Sequence, residues 1–110
     1  MTKQILLQEE TRVQRRMSKA LKEIRVANGI KNPFNVSREL GQSTATLRNI
    51  EKGLAFPTVK TLNELIGLYV ITPIEKQEVL RLKDEMLKIR RELKEMRKNN
   101  ELMWFHRKIN

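Results

Sequence analysis

The sequence predicts an all-α chain of five helices, the last much longer than the others. Three observations carry this expectation. Apolar residues recur at steps of three and four along most of the chain, the spacing that lines one face of a helix. Glycine and proline mostly punctuate those runs, at Gly29, Pro33, Gly41, Gly53, Pro57 and Pro73. No segment shows the apolar–polar alternation of a strand.

The first helix is expected over residues 11–28, where Val13, Met17, Ala20, Leu21 and Ile24 share a face and Arg and Lys fall largely on others. Asn28-Gly29 supplies a left-handed stop, and Asn32-Pro33 reads as an N-cap followed by proline at the first helical position. The second helix is short, turns Val36 and Leu40 inward and stops at Gly41. Ser43 is placed to cap a third helix, residues 44–52, which buries Leu47 and Ile50 and ends at Gly53. Pro57-Thr58 opens the fourth, with Val59, Leu62, Leu65, Ile66 and Tyr69 facing the core and an end near Val70-Ile71. In Thr72-Pro73-Ile74-Glu75 a capping threonine, a first-turn proline and a glutamate three residues on combine two separate start signals. No glycine or proline follows up to residue 105, so one long helix is expected there.

Composition narrows the function. In 110 residues there is room for one modest core, or a small domain with an elongated appendage. Lys and Arg outnumber Asp and Glu by 23 to 13, a formal charge of +10, which points to a polyanionic partner. No stretch approaches the length of a membrane span, and the opening MTKQILLQEETR has no signal-peptide apolar core, so a cytoplasmic protein without a membrane partner is expected. With no Cys and one His, His106, thiolate metal sites are excluded, no metal or cofactor is expected, and His106 is assigned to solvent or packing. There is no Gly-rich phosphate loop, and the carboxylates mostly belong to helical charge patterns, so an enzyme is not expected.

Helix two, a glycine turn and helix three carry most of the functional information. Gly29, VSRELG at 36–41, STATLRNIEKG at 43–53, Phe56-Pro57-Thr58-Val59 and Leu62 follow one another in order. On these residues the chain, from about 21 to 72, resembles the XRE family of helix-turn-helix DNA-binding proteins, the Cro and lambda-repressor type. Glu51, Gly53 and Pro57 stand in the expected register; Ser37, Gln42 and Pro33 depart from the usual pattern. The resemblance implies a five-helix lambda-repressor-like fold, with a DNA-binding domain at residues 1–73 that includes an N-terminal helical extension and binds double-stranded DNA, and a long last helix beyond it. It also implies that Thr44, Ala45 and Asn49 read base edges, with Thr46 and Arg48 as neighbours.

Groove geometry gives these side chains their roles, because a B-DNA major groove admits one α-helix whose N-terminal residues meet the base edges. Asn49 suits a bidentate pair with adenine, Arg48 suits guanine or phosphate, and Ala45 or a threonine methyl suits a thymine methyl. Phosphate contacts need only donors and are expected from Lys31, Asn32, Asn35, Arg38, Ser43 and Lys52. The Arg12, Arg15, Arg16 and Lys19 cluster is a further candidate, set against ordinary solvation of a surface helix.

Along the last helix, Val79, Leu82, Met86, Ile89, Leu93, Met96, Asn100 and Met103 alternate steps of three and four, a heptad seam. With Val79, Met86, Leu93 and Asn100 at a and the others at d, Glu78, Glu85 and Glu92 fall at g and Lys83, Arg90 and Arg97 at e. A parallel homodimer pairs these charges. Ile74 to Leu82 is expected to complete the head's core, and the later heptads to pair between copies. Residues 74–106 are thus assigned to a dimerisation coiled coil and 107–110 to a tail, with Trp104, Phe105 and His106 sealing the coil end or forming a contact patch. Met at the seam leaves a heterotypic partner or a higher oligomer open.

The function expected is a sequence-specific transcriptional regulator, a repressor on a palindromic operator. Two alternatives stand beside it: an antitoxin that binds a toxin or other regulatory protein and autoregulates its operon, and a non-enzymatic adaptor assembled by its coil.

Overall fold

The chain forms five α-helices in the computed structural model, which describes the backbone of residues 2–109 and the side chains of residues 2–100, with no strand among them. They are α1 (Lys3–Ala27), α2 (Pro33–Leu40), α3 (Thr44–Glu51), α4 (Val59–Leu68) and α5 (Pro73–Ile109). None of the described helices is long and apolar enough to cross a membrane.

Helix α1 starts at Lys3 rather than at residue 11. Thr2 caps it, its Oγ1 accepting from the Ile5 amide at 3.3 Å. The extra turns carry Leu6, seven residues before Val13 and therefore on the same face, and Leu6 is fully buried. At the other end Asn28 does more than stop the helix. Its side-chain amide donates to the carbonyls of Ile24 (2.8 Å) and Val70 (3.0 Å), and its Oδ1 accepts from the Val70 amide at 2.8 Å. This clamp holds the connection between α4 and α5. Tyr69 is already extended there, which is why α4 ends at Leu68, before the Val70-Ile71 end the sequence suggests.

Gly41 joins α2 to α3 in the left-handed region at φ 66°, where a side chain is disfavoured. Helix α4 is capped by Thr58, whose Oγ1 accepts from the Thr61 amide. At the start of α5, Glu75 accepts from the Thr72 amide (2.9 Å) while Thr72 accepts from the Glu75 amide (3.1 Å), the reciprocal arrangement read from the sequence.

A single cluster runs from Leu6, Val13, Met17, Leu21 and Ile24 of α1 through Val36, Leu47, Ile50, Leu62, Leu65 and Tyr69 to Val79, Leu82, Met86 and Ile89 of α5. Ala20, Leu40 and Ile66 are partly buried against it, and two further residues expected in the core are exposed. Val59, the first residue of α4, is 46% exposed, and Ile74 is 79% exposed because α5 meets α1 only about a turn and a half later, at Val79.

The seam is covered within the single chain over more of its length than expected. Val79 and Leu82 complete the core, as expected of the stretch up to Leu82. Met86 and Ile89, expected to pair between copies, are buried there too, and Leu93 and Met96 pack partly against the same core. Helix α1 is the cover. Arg12 pairs with Glu85 and Glu10 with Arg90, each at 3.5 Å, while Lys3 and Leu7 share a groove with Met96 and Asn100. Positions fall along α1 as they rise along α5, so the two helices run antiparallel. Charges assigned to a partner chain are engaged at home: Glu78 and Glu85 bind Arg81, Lys83 lies 3.7 Å from Asp84, and Arg90 also stacks over Phe56. An apolar stripe does not specify which chain covers it. A tethered helix with a matching stripe reaches it at far higher effective concentration than a second copy does. Asn100 is exposed, and the Met103 side chain lies outside the described residues.

Candidate nucleic-acid interface

Helix α3 is eight residues long and faces two ways. Leu47 and Ile50 are buried against the core, which leaves Ala45, Thr46, Arg48 and Asn49 exposed. Among the described residues none of these side chains makes a hydrogen bond or an ion pair within the chain, so the polar groups of Thr46, Arg48 and Asn49 are available to a ligand. Thr44 is different. It is half-buried, and its Oγ1 shares a 2.8 Å hydrogen bond with the hydroxyl of Ser37, which also donates to the Phe34 carbonyl. This accounts for a serine in the middle of α2: it ties the two helices together across the Gly41 turn.

Lys31, Asn32, Asn35, Arg38, Ser43 and Lys52 are all exposed. Asn32 and Ser43 occupy the N-cap positions of α2 and α3, yet neither side chain bonds to its own helix. The first amides, which in α2 begin only at Phe34 because Pro33 has no N–H, are therefore left without a side-chain cap, the arrangement that suits an anion. The start of α2 and the end of α3 adjoin, with Pro33, Arg48 and Lys52 lining one open hollow together with Lys22 and the Arg25–Glu51 pair.

What holds α3 in place comes from α1. Arg25, 5% exposed, binds both carboxylate oxygens of Glu51 at 2.8 and 3.0 Å through Nε and donates through Nη1 to the Ile30 carbonyl. Ser18 donates to the Glu51 carbonyl and Gln14 to the Gly53 carbonyl at 2.8 Å. The carbonyls at a helix C-terminus have no partner within the helix, and α1 supplies them. On the far side Gln42 donates to Thr61 Oγ1 and to Glu64, both in α4. A buried face, a tied turn and a clamped C-terminus thus orient the exposed face of α3.

Sequence reasoning missed Gln14, Ser18, Arg25, Asn28 and Lys22. Arg25 was open to detection, since it follows Leu21 by four positions and so sits beside the apolar stripe. The basic cluster read on α1 divides. Arg12 bonds Glu9 at 2.7 Å, which with the neighbouring Glu85 charge raises its pKa above the ordinary value, whereas Arg15, Arg16 and Lys19 are exposed. Among the described residues no group of His, Asp and Glu comes together as a metal site. Compared with protein-family models, curated proteins and solved structures, the chain gives no significant match.

Proposed function

We propose that the protein binds double-stranded DNA by laying α3 in the major groove, as a helix-turn-helix regulator of the type its sequence resembles. The observation that carries this reading is the free polar face of Thr46, Arg48 and Asn49 on a helix whose other side is locked to α1 and α2. Asn49 and Arg48 have the bidentate donors and acceptors that base edges require, and Ala45 keeps the helix close to the groove floor. Thr44, its hydroxyl committed to Ser37, offers its methyl rather than its oxygen. Lys31, Asn32, Asn35, Arg38, Ser43 and Lys52 hold phosphates around that face and set its register.

The regulator acts as a homodimer on an inverted repeat, and by occupying an operator it excludes polymerase. The α5 seam being buried against α1 as far as Ile89 and only partly covered at Leu93 and Met96, a second copy pairs through this distal stretch and the exposed Asn100. Duplexes selected from random DNA test both parts. An inverted repeat should be enriched, and Asn49→Ala should lose preference at one position per half-site, weakening binding there by about 1–3 kcal/mol, roughly fivefold to 150-fold. Recovery of no common sequence would refute specific recognition. A lone half-site would refute the dimer.

A further inference from the structure

Much of the positive charge lies outside the helix-turn-helix. Residues 28–72 carry five Lys and Arg against three Glu, whereas α1 carries seven against three. Two of those seven, Arg12 and Arg25, are held by Glu9, Glu85 and Glu51. Arg15, Lys19 and Lys22 remain exposed, with no ion pair among the described residues. Steps of four and three place them on one stripe of α1.

That stripe runs alongside α3. Ser18 and Arg25, on the adjoining stripe, are bonded to Glu51, and the Arg15 side chain packs at Gly53, its Cγ 3.9 Å from where a Cβ would stand. Lys22 lines the same hollow as Arg48 and Lys52. From Arg15 to Lys22 the track extends about 10 Å at a rise of ~1.5 Å per residue.

We propose that Arg15, Lys19 and Lys22 form a phosphate-binding track on α1, along which the backbone of the duplex read by α3 continues past the recognition helix. The proposal rests on the DNA-binding reading above and adds a third element to the interface. Arg16 lies off the stripe and is not part of it. The side chains are long, unpaired and of one sign, so they serve phosphates without regard to sequence.

The test is the salt dependence of binding to a mixed-sequence duplex two helical turns long, for the unaltered chain and two triple variants. One variant is Arg15→Gln with Lys19→Gln and Lys22→Gln. The other neutralises three exposed cations of α5, as Lys88→Gln with Arg91→Gln and Lys94→Gln. Each neutralised phosphate contact lowers the slope of log K against log salt by about 0.9, so the α1 variant should lose roughly 2 to 3 from the slope and the α5 variant less than about 1. Its ranking of selected over scrambled duplexes should not change. An unchanged slope in the α1 variant, with the unaltered chain binding, would overturn the track alone. Equal losses in both variants would overturn it in favour of overall charge. No binding by the unaltered chain would overturn the DNA reading and the track with it. The exposed positions make folding failure separable, since thermal melts of both variants should match the unaltered chain.

Discussion

At Arg25 a charged side chain on the flank of an apolar stripe is turned inward, its Nε donating to the Glu51 carboxylate and its Nη1 to the Ile30 carbonyl. Such a pair places α3 more than it stabilises the fold, because desolvation offsets much of the Coulombic gain. Tyr69 packs beside it in the core and feels both charges. Burial, reinforced by Glu51 and opposed by Arg25, raises its phenol from 10.0 to about 12. The folded state therefore keeps this proton to a higher pH than the unfolded chain does. Its contribution is full below pH 10, declines as pH rises from 10 towards about 12, and is gone above that. Denaturant titrations across this window should show the unaltered chain losing stability more steeply than Tyr69→Phe. As the chain has one tyrosine, the difference reports that residue alone. Parallel declines in the two proteins would contradict the buried phenol.

Pairing of whole helices decides which chain covers the α5 seam. Since Met86 is fully buried against α1 within one chain, Met86→Ala should cost about 2–5 kcal/mol, as cavity-forming changes do. That loss should be the same at widely separated protein concentrations, because the contact is intramolecular. A loss that grows on dilution would restore the seam to an interface between copies. The five helices, the Gly41 turn and the Thr72–Glu75 box were legible in the sequence because each is a local signal: spacing, a positive φ, a reciprocal cap. The exposed face of α3 was legible for the same reason. The partner of the seam was not, since apolar periodicity gives a face and never its occupant. The start of α1 was hidden as well. In QILLQEE three adjacent apolar residues mask the period, and only Leu6 is buried. Contacts such as Ser18 to Glu51 and Asn28 to Val70 join residues dozens of positions apart and leave no spacing to read.

The molecule as a whole measures 62 × 27 × 19 Å, a head built on α2, α3 and α4 and a stalk made by α1 and α5. Helix α1 belongs to both. Its N-terminal turns cover the seam, and its C-terminal half clamps α3 and carries the Arg15, Lys19 and Lys22 stripe. The stalk thereby fixes the angle at which the head presents its polar face. The exposed face of α3 with the α1 stripe beside it, and not α5, is proposed to receive duplex DNA. Backbone amide shifts followed by NMR during titration with a selected duplex test it most directly. The largest changes are expected at residues 43–52, a second set at 31–38 and 15–22, and small ones along 79–96. A duplex that leaves 43–52 unmoved, or that shifts α5 most, would contradict it.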